Sequence, residues 1–118
     1  MDKCQELSYL GYVIQEALRV NPPAPLCSHY HFEKDTKLGG LHVRAYDPIL
    51  INIYALHHDS SQWQRPFEFL PDRFDASHSL SRTPSGQKRH NMSWVPFNGG
   101  KRICFGKTFA EYVLRTIW

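Results

Sequence analysis

The sequence contains few cysteines and no long apolar run. Its three cysteines, Cys4, Cys27 and Cys104, are far apart in the chain, and an odd, sparse set argues against a disulfide framework. The longest apolar stretch covers residues 49–53 and is interrupted by one asparagine. Because a membrane span needs roughly 20 apolar residues, we expect no membrane-spanning segment in this chain.

Concentrated positive charge and paired metal ligands are also absent from the sequence. The formal net charge is +3 and the basic residues are scattered, so we expect no nucleic-acid partner. No C-x-x-C or H-x-x-x-H pair offers zinc ligands. The first six residues contain no apolar segment, so we expect no signal peptide at this end. The length and the 42% hydrophobic content are typical of one small globular domain.

The pattern along the chain predicts a mainly α fold with a small β component, an α+β class. Residues 6–20 predict a helix that ends before a pair of prolines. Its apolar stripe consists of Leu7, Leu10, Ile14, Ala17 and Leu18. Residues 26–54 predict short strands, with strand-forming segments at 26–32 and 49–54. Residues 65–74 favour an irregular meander, residues 76–93 an exposed loop, and residues 107–118 a second helix.

The most informative segment is 97–106, which fits the pattern F-x-x-G-x-R-x-C-x-G. Five specified positions should match by chance on the order of once in ten thousand such chains or more rarely. Cys104 lies just before the predicted helix at 107, where the helix dipole and free N–H donors favour a thiolate. A lone cysteine is more often a buried, inert residue, and we interpret Cys4 and Cys27 in that way.

This pattern resembles the haem loop of the cytochromes P-450. The resemblance implies haem b (iron protoporphyrin IX) as the cofactor, with Cys104 as the axial ligand of the iron. Phe97 would pack against the ring and shield the sulfur, and Arg102 would bind a haem propionate. Gly100 would let the backbone turn beneath the ring, and Gly106 would let the helix begin close to it.

Two distant segments extend the resemblance. Glu16 and Arg19 form an E-x-x-R pair on one face of the predicted helix, and Arg73 belongs to a Pro-Asp-Arg-Phe segment similar to the family's P-E-R-F. The resemblance implies that Glu16, Arg19 and Arg73 form a structural triad without a catalytic role. Many members carry a propionate-binding arginine where this chain has His29, and we expect His29 to donate to a propionate in its place.

The resemblance covers residues 1–118 and implies an incomplete, C-terminal haem-binding portion of the fold. Residues 6–20 correspond to the family's helix K, residues 65–74 to its meander and residues 107–118 to the start of its helix L. The family's oxygen-activating acid–threonine pair lies upstream of helix K. We therefore expect no catalytic residue in this chain.

The implied activity of the parent is monooxygenation of a small apolar substrate, with electrons from an NADPH-dependent reductase or another donor. A eukaryotic parent would be attached to the endoplasmic-reticulum membrane. Two hypotheses follow for the chain. It is part of a functional haem-thiolate monooxygenase, or it is a truncated, non-enzymatic product with weak or no haem binding. For the 118 residues alone, the second hypothesis is favoured, since the distal wall of the haem would be missing.

Overall fold

The computed structural model describes residues 3–117, and the side chains of residues 8–117. The side chains of Cys4 and Leu7, and the end of the predicted second helix at Trp118, lie outside the described residues. The helices are α1 (Lys3–Val20), α2 (Ile53–His57) and α3 (Lys107–Ile117), and the strands are β1 (Thr36–Leu38) and β2 (Leu41–Val43). Short 3₁₀ turns occupy Pro71–Phe74, Ser79–Ser81, Asn91–Ser93 and Gly100–Arg102. The α+β class expected from the sequence is confirmed.

Helix α1 begins at Lys3, earlier than the sequence pattern indicates, and ends at Val20. Its last carbonyls are partly satisfied beyond the helix, since the Asn21 N–H donates to the Ala17 carbonyl at 3.0 Å. The following prolines cannot continue the helical hydrogen bonding. The helix packs against the Pro71–Phe74 turn, α2 and α3, so it forms the support on which the rest of the described chain is assembled.

Strands β1 and β2 form an antiparallel hairpin, with Thr36 opposite Val43 and Leu38 opposite Leu41. Gly39 and Gly40 connect them with φ angles of 55° and 85°. Two successive positive φ angles match the twist of a tight hairpin and are easily adopted by glycine. The hairpin is largely exposed and lies outside the buried part of the molecule.

The continuous strands expected over 26–32 and 49–54 are wrong. Those segments meet only through isolated bridges, Leu26 with Asn52 and Tyr30 with Ile49. The Asn52 side chain accepts a hydrogen bond from the Ala55 N–H at 2.9 Å and caps α2. An N-cap satisfies a backbone donor that a strand would leave for a partner, so the chain turns into a helix at Ile53 despite its β-branched residues.

The expectation of a simple exposed loop over 76–93 is also wrong in part. The segment contains two 3₁₀ turns, each capped by a histidine: His78 accepts from the Leu80 N–H and His90 from the Met92 N–H. It buries Leu80 together with Thr83 and Ser93. The polar composition of the segment indicated exposure. The segment can nevertheless be partly buried, because side chains in the turns satisfy backbone groups locally, and the sequence pattern does not reveal these contacts.

The buried centre of the described chain is mostly polar. Its buried apolar side chains are Pro22, Cys27, Ile53, Trp63, Pro71 and Leu80, and its buried polar ones are Glu16, Arg19, His57, His58, Arg73, Thr83 and Ser93. The radius of gyration is 16.6 Å, against about 13.5 Å for a compact chain of this length. Hydrogen bonds and ion pairs, more than an apolar core, therefore hold the elements of this chain together.

Candidate functional site

Glu16 lies at the centre of a fully buried ionic cluster. Its Oε2 accepts from Nε of Arg19 at 2.7 Å, and its Oε1 accepts from Nη2 of Arg19 at 2.8 Å. The same Oε1 accepts from Nε of Arg73 at 3.0 Å and from the Leu70 N–H at 2.9 Å. The structure thus brings Glu16, Arg19 and Arg73 into direct contact through one carboxylate.

The remaining donors of both arginines bind backbone carbonyls. Arg19 donates to the carbonyls of His57, Pro66 and Glu68 at 2.7–3.0 Å, and Arg73 donates to those of Gln64, Arg65 and Glu68. Desolvation lowers the pKa of Arg73 and the charge of Arg19 lowers it further, whereas Glu16 raises it. Because buried charges require such complete pairing, the cluster fixes the path of residues 64–68.

A third arginine, Arg89, is half-buried and extends the cluster, and sequence reasoning missed it. Arg89 donates to the carbonyls of Leu80 at 2.7 Å and Arg73 at 2.6 Å. Its guanidinium lies 4.2 Å from the centroid of the Trp63 ring, which Arg19 also approaches at 5.2 Å. Desolvation lowers the pKa of Arg89 to about 10, with a further contribution from Arg73. No local pattern marks Arg89, since it stands in a polar stretch of ordinary composition.

The segment from 95 to 106 forms a closed loop before α3. The Asn98 N–H donates to the Val95 carbonyl at 3.0 Å, and the Cys104 N–H donates to the Phe97 carbonyl at 2.8 Å. Gly100 has a φ of 63°, a left-handed conformation that glycine adopts with little strain. The loop therefore joins Phe97 and Cys104, the first and the eighth positions of the motif, by a backbone hydrogen bond.

Cys104 is exposed and makes no disulfide, whereas Cys27 is buried. The backbone carbonyl of Cys104 accepts from the Lys107 N–H at 3.3 Å, and that of Gly106 accepts from the Ala110 N–H at 2.9 Å. The sulfur is thus carried one turn before the regular hydrogen bonding of α3. A buried, inert cysteine was the alternative to an iron ligand. Cys27 fits that description, since it is buried and its Sγ accepts from the Ile51 N–H at 2.9 Å, whereas Cys104 does not.

Two adjoining clefts border this loop. One, of about 440 Å³, is mainly apolar and is lined by Tyr30, Ile51, Leu56, Met92, Val95 and residues 98–102. The other, of about 420 Å³, is more polar and is lined by Ser28, His29, Tyr30, His31, Glu33, Asn98 and Arg102. The structure therefore brings His29 and Arg102 to the same cleft. Arg102 borders both clefts, so its cationic group lies where the apolar and polar walls meet.

Within residues 3–117, none of the helices combines the length and the apolar character that crossing a membrane requires. The same part of the chain has no cluster of three or more His, Cys, Asp or Glu side chains arranged to hold a metal ion.

Comparison with known proteins identifies the family. The model of the cytochrome P-450 family matches residues 1–117. Cytochrome P-450 82A4 of Glycine max is 40% identical over 104 residues, covering 88% of this chain and 19% of the relative. Phenylacetaldehyde oxime monooxygenase of Prunus mume is 37% identical over 113 residues, covering 92% and 20%. Tabersonine 3-oxygenase of Catharanthus roseus is 39% identical over 106 residues, covering 90% and 20%.

The chain belongs to the cytochrome P-450 family. It spans about a fifth of the length of the curated relatives that it matches. The family implies a haem cofactor, an electron donor and a substrate, and the relatives named as oxygenases are enzymes.

Proposed function

We propose that this chain supplies the cysteine-bearing, haem-binding part of a haem-thiolate monooxygenase, with Sγ of Cys104 as the axial ligand of haem b. The observation that carries the proposal is the placement of Cys104: it is exposed, free and closed into a loop by its hydrogen bond to the Phe97 carbonyl. A thiolate must be accessible to bind iron, and a fixed backbone limits the directions from which it can do so.

The residues around the sulfur fit the cofactor. A Cβ built on Gly100 meets no atom within 4 Å, so the backbone there is open to a flat group. Phe105 is fully exposed and Ile103 is half exposed, which leaves apolar surface beside the cysteine. Arg102 and His29 border one polar cleft and would hold the propionates by charge-assisted hydrogen bonds.

The haem, when bound, supplies the oxygen-activating chemistry. The chain's own residues bind and orient it. Cys104 would hold the iron, Phe97 and Gly106 would set the position of the cysteine at the entrance of α3, and Arg102 would anchor the edge of the ring. None of the described residues is assigned a role in proton delivery, since the family's acid–threonine pair has no counterpart among them.

The parent would oxidise a small apolar substrate, with electrons from an NADPH-dependent reductase or another donor. The apolar cleft of about 440 Å³ beside the loop supports an apolar ligand, because apolar walls bind apolar surface. The three relatives described above come from plants, which supports a eukaryotic parent, and for such a parent we propose the endoplasmic-reticulum membrane as the location.

The test is spectroscopic. The full chain is loaded with haem and reduced under carbon monoxide, and we expect a strongly red-shifted Soret band that reports thiolate ligation. Cys104→Ser should abolish this band, while Cys27→Ser, the matched control at a buried cysteine, should retain it. An identical band in wild type and Cys104→Ser would show that another residue binds the iron and would overturn the proposal.

The alternative is a non-enzymatic product that binds haem weakly or not at all. The observation that favours it is the exposed apolar surface of α3, where Phe109, Tyr112 and Ile117 are each 71–75% exposed. Exposed apolar patches of this kind usually require a partner. Equal haem affinity in wild type and Cys104→Ser, without a thiolate band in either, would establish this alternative.

A further inference from the structure

His57 is a fully buried histidine that contacts both the ionic cluster and the loop. Its backbone carbonyl accepts from Nη1 of Arg19 at 2.8 Å. Its ring nitrogen Nε2 accepts from the Val95 N–H at 2.9 Å. One residue of α2 therefore links the buried arginine of α1 to the segment that enters the cysteine loop.

The contact continues to the cysteine through backbone hydrogen bonds. The carbonyl of Val95 accepts from the Asn98 N–H, and the carbonyl of Phe97 accepts from the Cys104 N–H. The neighbouring Trp94 donates from its indole to the Gln15 carbonyl at 3.3 Å, which ties the same segment to α1. The entrance of the loop is thus held on two helices, and the ring of His57 is its attachment to α2.

The hydrogen bond requires a neutral ring with its proton on Nδ1, since Nε2 acts as an acceptor. Among residues 3–117, Nδ1 is buried without a hydrogen-bond partner. A buried donor without a partner lowers stability, so the position is retained at some cost. Such a group in a native structure calls for a role, and the bond to Val95 provides one.

We propose that His57 is a positioning residue, whose neutral Nε2 holds Val95 and thereby the loop that presents Cys104. This proposal rests on the proposed function, because the position of Cys104 matters for activity only if Cys104 is the iron ligand. His57 acts through the loop and is not a catalytic residue. Protonation at Nε2 would set its new N–H against the Val95 N–H, and the attachment would then be lost.

The surroundings keep the ring neutral. Burial is the largest cause of the lowered pKa of His57, which falls to about 4. Hydrogen bonding to the backbone of Arg19 and Leu18 raises the pKa and offsets part of this shift, whereas the charges of Arg19 on α1 and of His58, the C-cap of α2, lower it further. Glu16 also faces this region from α1, where it is paired with Arg19 and Arg73. No titratable side chain of the Val95 segment contributes to the shift. The attachment should therefore persist at neutral pH and weaken in acid.

The experiment is residue-resolved amide hydrogen exchange on the full chain without haem. The variants are His57→Leu, which removes the acceptor, and His57→Gln, which can present an acceptor near the Nε2 position without titrating. His58→Gln is the matched control, because His58 is also buried but binds the Tyr54 carbonyl through Nδ1. The reference amide is Tyr30, whose hydrogen bond to the Ile49 carbonyl involves neither His57 nor the Val95 segment.

In His57→Leu we expect the protection of the Val95 and Cys104 amides to fall about tenfold, the equivalent of one net hydrogen bond, with Tyr30 unchanged. His57→Gln and His58→Gln should retain it. In wild type, protection at Val95 relative to Tyr30 should fall as the pH decreases from 6.5 towards 4, and His57→Gln should remove this dependence.

Two results would overturn the proposal. One is unchanged protection at Val95 in His57→Leu, and the other is loss at Val95 without any loss at Cys104. If His57→Leu fails to fold, as a loss at Tyr30 would reveal, the pH profiles of wild type and His57→Gln decide: equal profiles contradict the role. Absence of a thiolate band in haem-loaded wild type would contradict only the ligand role of Cys104. It would leave the role of His57 in holding the loop unaffected, because the exchange measurements are made without haem.

Discussion

Nε of Arg73 donates to Oε1 of Glu16 at 3.0 Å, although the two residues are 57 positions apart in the chain. Both side chains are fully buried. A buried ion pair offsets its desolvation only when the remaining donors and acceptors are also bound, and here backbone carbonyls and the Leu70 N–H meet that requirement. The pair joins α1 to the Pro71–Phe74 turn and so sets the direction from which the chain approaches the cysteine loop.

We expect Glu16→Gln to lower the free energy of unfolding by about 3–5 kcal/mol, because it leaves buried arginines without their anion. Urea denaturation measures this. The control is Glu68→Gln, whose carboxylate pairs with Arg65 at 3.1 Å on the surface and should contribute at most about 1 kcal/mol. Similar losses in the two variants would contradict the importance of the buried pair.

In a full-length cytochrome P-450 that contains this chain, Arg73→Ala or Glu16→Ala should impair haem incorporation more than substrate choice, because the buried cluster holds α1, α2 and residues 64–74 together. The haem content per protein and the product distribution measure the two effects. Variants that load haem normally but select different substrates would show that the structural role of the triad is wrong.

Arg89→Lys should lower the free energy of unfolding by roughly 2 kcal/mol, because lysine cannot reproduce the planar stacking and the paired donors of a guanidinium. Arg89 binds two carbonyls and lies over Trp63. Arg82→Lys is the control in the same segment, since the Arg82 side chain is exposed and donates one long hydrogen bond, of 3.4 Å, to the Gly86 carbonyl. Thermal unfolding of both variants measures the difference, and equal midpoints would exclude a special role for Arg89.

Gly100→Ala should lower stability by about 1–2 kcal/mol, because a side chain is strained at a φ of 63°. Space around the position is open in the protein, so the loss would come from the backbone. Gly99→Ala is the neighbouring control, with an extended φ of −156°, and should change stability by less than about 0.5 kcal/mol. The same pair, titrated with haem, should differ further if Gly100 faces the ring, and equal haem affinities would contradict that placement.

Acid should destabilise the chain through His57. Its pKa is lowered from 6.5 to about 4, so between these values the unfolded chain binds a proton that the folded chain does not. The contribution is fully present above pH 6.5 and decreases as the pH falls towards 4, by up to about 1.4 kcal/mol per pH unit. Urea denaturation across this range should show a smaller slope for His57→Gln than for His58→Gln, and equal slopes would contradict the assignment.

Local patterns in the sequence predicted much of this protein. The stop of α1 at the prolines and the start of α3 after the cysteine loop follow from neighbouring residues. The spacing of Glu16 and Arg19 places both on one helical face, and the motif around Cys104 identified the family. The haem-directed roles of Cys104, Arg102 and His29 remain predictions that the proposed experiments address.

Contacts between distant segments decided the features that local patterns did not predict. Residues 49–54 have strand-like composition, yet the capping contact of Asn52 and the burial of Ile53 favour a helix there. Arg89 becomes part of the ionic cluster only because residues 76–93 fold back onto Trp63. In sequence these are an arginine and a tryptophan 26 positions apart, with no periodicity to connect them.

The adjacent histidines His57 and His58 show most clearly which features the sequence determines and which the tertiary structure alone decides. His57 and His58 have the same chemistry and nearly the same local surroundings in sequence, so composition and spacing do not distinguish them. In the folded chain one ring accepts from the Val95 N–H and the other stacks on Tyr54 and Phe67. The difference arises because His57 is the last residue of α2 and His58 is its non-helical C-cap, so the two side chains point in different directions and meet different neighbours from distant segments.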